Sequence, residues 1–422
     1  MQADGAGLTL SCFDYEVSAR VTVPAEVEEP GTVLVPGRLL AEITRSLPPR
    51  TVEFSSAADM VLLSCGSAEF ELVSLPVEEY PGLPEPPAPA GTVDGGVLAA
   101  AAAQVVPSAS RDDTLPMLTG VCLDFEGPAM TLAATDRYRL AVRTVSWTPA
   151  KPGLRAAALV PARTLADVAR TMGAGMPVTI AFSATDPERP EAGGGGGSAA
   201  EPRPADGMIS FEGGGRRLTA RLIGGDFIRY RSRFPAEFGC RAVLPAEPFM
   251  AAVRRVSLVA ERASPVRLTF GHGEVVVEAH TDGRARAAES VRASFTGAEP
   301  VISFNPAYLL DGLTATAICG APVRHHAGGG ESVAEQPEPG RIQLEFTSPA
   351  KPALITWAGY DTDPIPGTED EAAAELAGSD ETTDEAEVEQ SSPVPGSVTD
   401  GTPAFRYLVV PLRAPAGAAG RS

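Results

Sequence analysis

The alternation of apolar and polar residues follows the same order three times along the chain. Each copy begins with a short apolar run that leads to an aspartate, and 22 to 25 residues later a proline opens an apolar stretch with helical spacing. The aspartates are Asp14, Asp136 and Asp282, and the prolines are Pro36, Pro161 and Pro306. A period of two predicts strands, and proline at the first helical position favours a helix start. The aspartates lie 122 and 146 residues apart, which predicts three related domains in tandem.

Further strand-like runs follow each proline. They cover residues 51–55, 61–64, 70–74, 178–182, 208–211, 218–222, 342–346, 353–357 and 407–411. The second and third copies also begin with a helix, predicted at residues 97–106 and 248–262, whereas the first copy has no counterpart. By comparison with the other two, the first domain is predicted to be incomplete, short of roughly 30 residues that would form one helix and one strand.

Two segments interrupt the repeats. Residues 185–206 contain five successive glycines, at 193–197, and read as a flexible loop. Residues 359–403 are acidic and proline-rich, which predicts a disordered insert. A smaller break falls at 325–339. We therefore predict domains at 1–87, 92–238 and 242–415.

Composition narrows the class of protein. Hydrophobic residues make up 44% of the chain, enough for packed cores. The net charge of −20 is concentrated in residues 361–400, which hold 13 acidic residues and no basic ones, so the rest of the chain carries −7. The five cysteines are far apart and lack any C-x-x-C spacing, which predicts neither a disulfide framework nor a metal site. We find no signal-peptide pattern and no membrane span in the sequence, and predict a cytoplasmic location.

The sequence predicts no catalytic centre and no cofactor. H-E-x-x-H, G-x-S-x-G and P-loop motifs are absent from the 422 residues. The glycine run at 193–197 lacks the lysine and the following helix of a phosphate-binding loop, so it is interpreted as a linker. The three repeated aspartates are expected to cap turns, since a catalytic trio would have to converge from three separate domains.

Several segments resemble the bacterial sliding clamps, the β subunits of DNA polymerase III, in their actinobacterial form. They are 11–19 (SCFDYEVSA), 75–81 (LPVEEYP), 111–118 (RDDTLPML), 134–141 (ATDRYRLA), 304–311 (FNPAYLLD) and 407–413 (YLVVPLR). The resemblance implies an α+β fold of three clamp domains, each with helices on one side and antiparallel sheets on the other. It also implies a non-catalytic homodimer, closed head to tail into a ring of six domains around double-stranded DNA.

A ring that slides must attract phosphates without reading bases, and arginines on the inner helices would supply that attraction. The resemblance suggests eight DNA-facing residues: Arg38, Arg45, Arg111, Arg163, Arg170, Arg254, Arg255 and Arg262. The alternative is that each belongs to an ordinary solvated helix face.

The family also binds partner proteins in an apolar groove between domains two and three. These partners are the DNA polymerase III catalytic subunit, the clamp loader and other proteins that carry a short clamp-binding motif. Carried over position by position, the groove here would consist of Leu118, Thr135, Arg137, Tyr138, Arg139, Leu140, Ile228, Leu408, Val410, Pro411, Leu412 and Arg413. In it, aliphatic walls would bury the anchors of the peptide and an arginine would hold its polar groups.

Ile228, Arg233 and Val410 depart from the residues usual in the family, and the first domain is short. A second interpretation therefore stays open, in which the chain is a non-processive clamp paralogue that binds partners without encircling DNA. Each apolar groove residue, taken alone, is more often a core residue, and only the coincidence of the whole group with the family pattern favours a groove.

Overall fold

The computed structural model describes residues 1–57, 59–173, 175–183, 207–261, 264–271, 273–281, 284–298, 300–320, 340–360 and 404–412. The predicted loop at 185–206, the break at 325–339 and residues 361–403 of the predicted acidic insert lie outside these ranges. So do three residues singled out above, Arg262, Asp282 and Arg413.

The described residues form 25 strands and five α-helices, with short 3₁₀ turns between them. The strands are β1 (Gln2–Asp4), β2 (Gly7–Phe13), β3 (Val17–Val23), β4 (Gly31–Thr32), β5 (Glu53–Ala57), β6 (Met60–Cys65), β7 (Ala68–Val73), β8 (Pro89–Asp94), β9 (Gly120–Glu126), β10 (Ala129–Thr135), β11 (Arg139–Ser146), β12 (Thr148–Pro149), β13 (Arg155–Pro161), β14 (Pro177–Phe182), β15 (Met208–Gly213), β16 (Arg216–Arg221), β17 (Cys240–Pro245), β18 (Val266–Gly271), β19 (Glu274–Thr281), β20 (Ala285–Arg292), β21 (Ser294–Thr296), β22 (Val301–Phe304), β23 (Gly340–Phe346), β24 (Ala353–Tyr360) and β25 (Phe405–Val409). The helices are α1 (Gly37–Ser46), α2 (Gly95–Val105), α3 (Ala162–Met172), α4 (Ala246–Val256) and α5 (Pro306–Ala317).

Two nine-stranded antiparallel sheets cross the domain boundaries. The first has the order β12-β8-β14-β15-β16-β3-β2-β1-β4 and joins domain two to domain one, where β16 pairs with β3. The second has the order β13-β9-β10-β11-β25-β24-β23-β17-β21 and joins domain two to domain three, where β11 pairs with β25. We call the β3–β16 contact the first seam and the β11–β25 contact the second seam.

Two smaller sheets lie in the first and the last domain. Domain one contributes the three-stranded sheet β5-β6-β7, and domain three contributes the four-stranded sheet β20-β19-β18-β22. All nine strand-like runs predicted after the prolines are strands, with each end within three residues of its predicted position.

The repetition predicted from the sequence extends to individual hydrogen bonds. Leu75 N donates to Leu34 O at 2.8 Å, Ile223 N to Leu159 O at 2.8 Å, and Leu412 N to Ser303 O at 2.7 Å. Each of these bonds ties the end of the third strand after a helix to the segment that precedes the same helix. The three modules are therefore equivalent in register as well as in the order of their elements.

The helix starts differ in detail from the prediction. Pro306 is the first residue of α5, and the Asn305 side chain caps it by accepting from the backbone N–H groups of Ala307 and Tyr308. Pro36 and Pro161 instead occupy the N-cap position, so that prediction was one residue early for two of the three helices. The fixed φ of proline suits the extended N-cap as well as the first helical turn. The helix predicted at 248–262 begins earlier and ends at Val256.

The core is continuous across domains two and three but separate in domain one. One cluster of buried side chains runs from Val93 to Val409, and a smaller one in domain one is built on Ile43, Val61 and Leu63. The described part of domain one has a single α-helix, whereas domains two and three have two each. None of the described helices has the length and apolar character needed to cross a bilayer.

Candidate functional site at the second seam

The turn before β11 is shaped by an aspartate. Asp136 Oδ1 accepts hydrogen bonds from the backbone N–H groups of Tyr138 and Arg139, both at 3.0 Å, and Arg137 adopts a φ of +79°. Asp14 makes the same turn before β3, where Tyr15 has a φ of +71° and the Val17 N–H holds the pKa of Asp14 below its usual value. The prediction that these two aspartates cap turns is confirmed.

Arg139 fastens the turn to domain three. Its guanidinium donates to Asp136 Oδ2 at 3.0 Å, to Asp311 on α5 and to the carbonyl of Pro107. It also lies over the ring of Tyr308, 4.5 Å from the centroid. The side chain is only 8% exposed, so the guanidinium is occupied by partners within the chain and acts as a bridge between domains two and three.

The floor of the site is apolar. Leu140 on β11 is directly opposite Leu408 on β25, and both are buried in a cluster with Leu354. The connector between domains two and three covers the other side of this cluster with Ile228, and Tyr230 is buried within it. Tyr230 is held in place because its hydroxyl donates to Asp124 Oδ2 at 2.8 Å.

The rim is formed by side chains that reach solvent. Tyr138 is 52% exposed and stacks on Tyr308 with 6.2 Å between ring centroids. Arg137 and Leu412 are exposed and Val410 is half-buried. The backbone of Val410 donates to Tyr138 O at 2.8 Å, so this end of the chain lies beside the turn. An apolar floor with an exposed aromatic and aliphatic rim is the type of surface on which short peptides are anchored in proteins.

The remaining groove residues are less exposed. Thr135 is buried and its hydroxyl donates to Arg139 O at 2.6 Å, so it supports the turn. Pro411 is buried beside Leu412, and Leu118 is buried at the end of the 3₁₀ turn before β9. Sequence reasoning missed Tyr308, Asp311 and Pro107 as partners of Arg139. Tyr308 and Asp311 lie on the helix that follows the repeated proline, so the repeat was the sequence feature that could have pointed to them.

The seven candidate DNA-facing arginines that the structure describes are exposed and fall into two groups. Arg38 pairs with Glu42, Arg170 with Asp167, Arg254 with Glu247 and Arg255 with Glu289. Among the described residues Arg45, Arg111 and Arg163 have no such carboxylate partner. An arginine paired with a carboxylate adds little net charge to its surface, so any attraction for phosphates comes mainly from the second group.

The two seams pair equivalent strands in the same register. Domain one and domain three each also have an edge strand that is equivalent to one of the two strands of a seam. At the first seam Arg221 N donates to Glu16 O at 3.0 Å, as Val410 N does to Tyr138 O at the second. By repetition β7 is equivalent to β16 and β25, whereas β20 is equivalent to β3 and β11. Within the described residues β7 and β20 are sheet edges, each with an unpaired side.

Three family models match successive parts of the chain. Residues 1–84 match the model of the DNA polymerase III beta subunit N-terminal domain, residues 92–228 its central domain and residues 231–323 its C-terminal domain.

Among known proteins, the beta sliding clamp of Streptomyces coelicolor is 48% identical over 84% of this chain and 85% of its own length. The beta sliding clamp homolog GriR of Streptomyces muensis is 42% identical over 74% of this chain and 79% of its own. A solved DnaN sliding clamp of Pseudomonas aeruginosa, bound to griselimycin, has the same fold with a TM-score of 0.71 at 20% identity. That match covers 98% of this chain and 90% of the other.

Proposed function

The chain belongs to the DNA polymerase III beta subunit family of bacterial sliding clamps, and on that premise we propose that two copies close head to tail into a ring that encircles duplex DNA. The ring would tether the DNA polymerase III catalytic subunit and other partners through the groove at the second seam. The observation that carries ring closure is the pair of complementary free edges, β7 in domain one and β20 in domain three.

The two seams within the chain indicate the register in which β7 of one protomer would pair with β20 of the other. At the first seam Val17 is opposite Ala220, and at the second Arg139 is opposite Val409. The equivalent residues are Ala285 on β20 and Leu72 on β7. Pairing these two across the protomers would give a seven-stranded sheet and remove the free edges that natural proteins otherwise have to protect.

Charge and exposure support this register. It sets Arg286 of one protomer opposite Glu71 of the other, and opposite charges in a cross-strand pair are favourable. In the isolated chain Arg286 bonds to Glu278 at 2.7 Å, and it would lie between the two carboxylates in the dimer. Leu258, beside α4, is 84% exposed, and Leu39, at the position on α1 equivalent to Tyr308, is 46% exposed. Closing the seam would bring these two apolar side chains near each other.

The register can be tested by engineered disulfides. We expect Glu71→Cys combined with Arg286→Cys to oxidise into a covalently closed dimer, because directly opposite Cβ atoms are close enough to bridge. Glu71→Cys combined with Ala288→Cys keeps the same face but moves the thiol two residues along β20. This matched control should cross-link far more slowly. Equal cross-linking of both pairs, or none under conditions in which the chain is dimeric, would reject this seam.

The groove is proposed to take a short apolar peptide segment of a partner. Its buried floor of Leu140, Leu354 and Leu408 and its exposed rim of Tyr138 and Leu412 support this proposal. The griselimycin-bound clamp of Pseudomonas aeruginosa is a relative in fold only, and the preference of this groove among partner peptides is set by its own residues, Ile228 and Val410 among them.

A further inference from the structure

A second cavity lies at the first seam, apart from the groove. It has a volume of about 190 Å³, is partly open to solvent and lies between the sheet and the segment that connects domains one and two. The sheet contributes Ser18 and Arg20 from β3 with Arg217 and Thr219 from β16, and the connector contributes Leu83, Pro84, Glu85 and Pro86. The cavity is large enough for a small polyatomic ion together with water, since one water occupies about 30 Å³ in the liquid.

The floor of this cavity holds two like charges face to face. Arg20 is directly opposite Arg217 in the β3–β16 register. Such a pair is destabilising unless a negative charge stands between the two side chains. Glu212 offsets part of the charge of Arg217, because the Arg217 Nε and Nη2 atoms donate to Glu212 Oε2 at 2.9 and 2.8 Å, so Arg20 supplies most of the uncompensated charge. Among the described residues no carboxylate forms an ion pair with Arg20.

A serine hydroxyl adds a third donor. Ser18, 5% exposed, is directly opposite Thr219 and lines the same cavity. The Thr219 hydroxyl is occupied, because it donates to Ser210 Oγ at 3.0 Å. The Ser18 hydroxyl has no hydrogen-bond partner in the described part of the chain. Two guanidinium groups and a hydroxyl that share one cavity form a donor set suited to an oxyanion.

We propose that this cavity binds a small free oxyanion of the phosphate type, held by Arg20, Arg217 and the Ser18 hydroxyl. The anion would neutralise the facing arginines and join domain one to domain two at the seam. The Glu85 carboxylate lines the same cavity and competes with the anion, which keeps the affinity modest. The site goes beyond the proposed tethering function, because it requires neither DNA nor a partner protein.

The proposal is tested by measuring how inorganic phosphate binds to the full chain. Binding is monitored by ³¹P NMR line broadening and by thermal unfolding, with chloride at the same ionic strength as the reference. The wild-type chain should bind saturably, and phosphate should raise its Tm. Arg20→Gln should weaken binding about tenfold or more, because it removes a charged hydrogen-bonding partner. It should not lower the Tm in phosphate-free buffer, since it also removes the repulsion between Arg20 and Arg217.

Two further variants keep the result interpretable. Arg216→Gln, on the same strand but outside the cavity, should bind phosphate as the wild type does. Glu85→Gln should bind several-fold more tightly, because it removes the competing carboxylate. The site is rejected if phosphate raises the Tm of the wild type and Arg20→Gln equally and broadens the ³¹P line equally in both, which would show only a non-specific ion effect.

Discussion

At the scale of single residues, one backbone position explains why the two seams differ. Val17 and Arg139 occupy equivalent places after the aspartate turn. Val17 makes no ion pair, whereas Arg139 reaches Asp136, Asp311 and the carbonyl of Pro107. The second seam is therefore fixed by a charged side chain that the first seam lacks.

Replacing Arg139 tests this difference directly. We expect Arg139→Ala to destabilise the chain by about 3 kcal/mol, because it leaves the half-buried Asp136 carboxylate without its ion-pair partner and breaks the bridge to Asp311. Urea unfolding gives the change in stability, and hydrogen exchange should show faster opening of β11 and β25. Arg137→Ala is the neighbouring control, since the exposed Arg137 side chain is outside the bridge, and it should change the stability by less than about 1 kcal/mol. Equal losses for the two variants would contradict the bridging role.

Leu412 provides a test of the groove. Leu412→Asp places a charge on the apolar rim and should weaken binding of a fluorescent peptide that carries a clamp-binding motif by about tenfold or more. Anisotropy titration measures the binding, and sedimentation velocity checks that dimerisation is unchanged. Leu62→Asp, at an exposed leucine of domain one, is the control. A Leu412→Asp variant that binds like the control would remove Leu412 from the proposed groove.

At the scale of elements, periodicity predicted the strands and helices well because each is set by local alternation. The nine strand-like runs and α2 lie close to the predicted positions. The pairing of β3 with β16 and of β11 with β25 could not be predicted from the residues, since strands about 200 and 270 positions apart leave no local signal in the sequence. The partners of Arg139 were missed for the same reason, because Asp311 lies in another domain.

The helices carry the proposed attraction for DNA, and α3 allows a controlled comparison. Arg163 forms no ion pair with a described carboxylate, although its charge acts on Asp14, whereas Arg170 bonds to Asp167 at 2.7 Å. We expect Arg163→Gln to weaken low-salt binding to a duplex oligonucleotide more than Arg170→Gln, and to reduce the slope of log K against log salt by about one. Both variants change one charge on one helix, so equal effects would contradict the role of ion pairing.

At the scale of the whole molecule, repetition of one module supplies both strands of the proposed ring contact. Two internal seams join equivalent strands, and the same two kinds of strand are left as edges on domains one and three. The described part of domain one has one helix and a small separate core, so the stability of the proposed ring would depend on how firmly its sheet holds β20 of the second protomer. A non-processive scaffold would use the groove at the second seam and leave these edges unpaired.

Loading onto nicked circular DNA, followed by linearisation, separates the two interpretations and tests the central claim. A closed ring is linked topologically to its circle, so we expect the chain, loaded by a clamp loader, to co-elute with circular DNA in high salt and to be lost within minutes of cutting. High salt removes purely electrostatic binding, so it leaves only linked protein on the circle. Protein that never remains on the circle in high salt, or that remains equally on the linear product, would contradict encirclement.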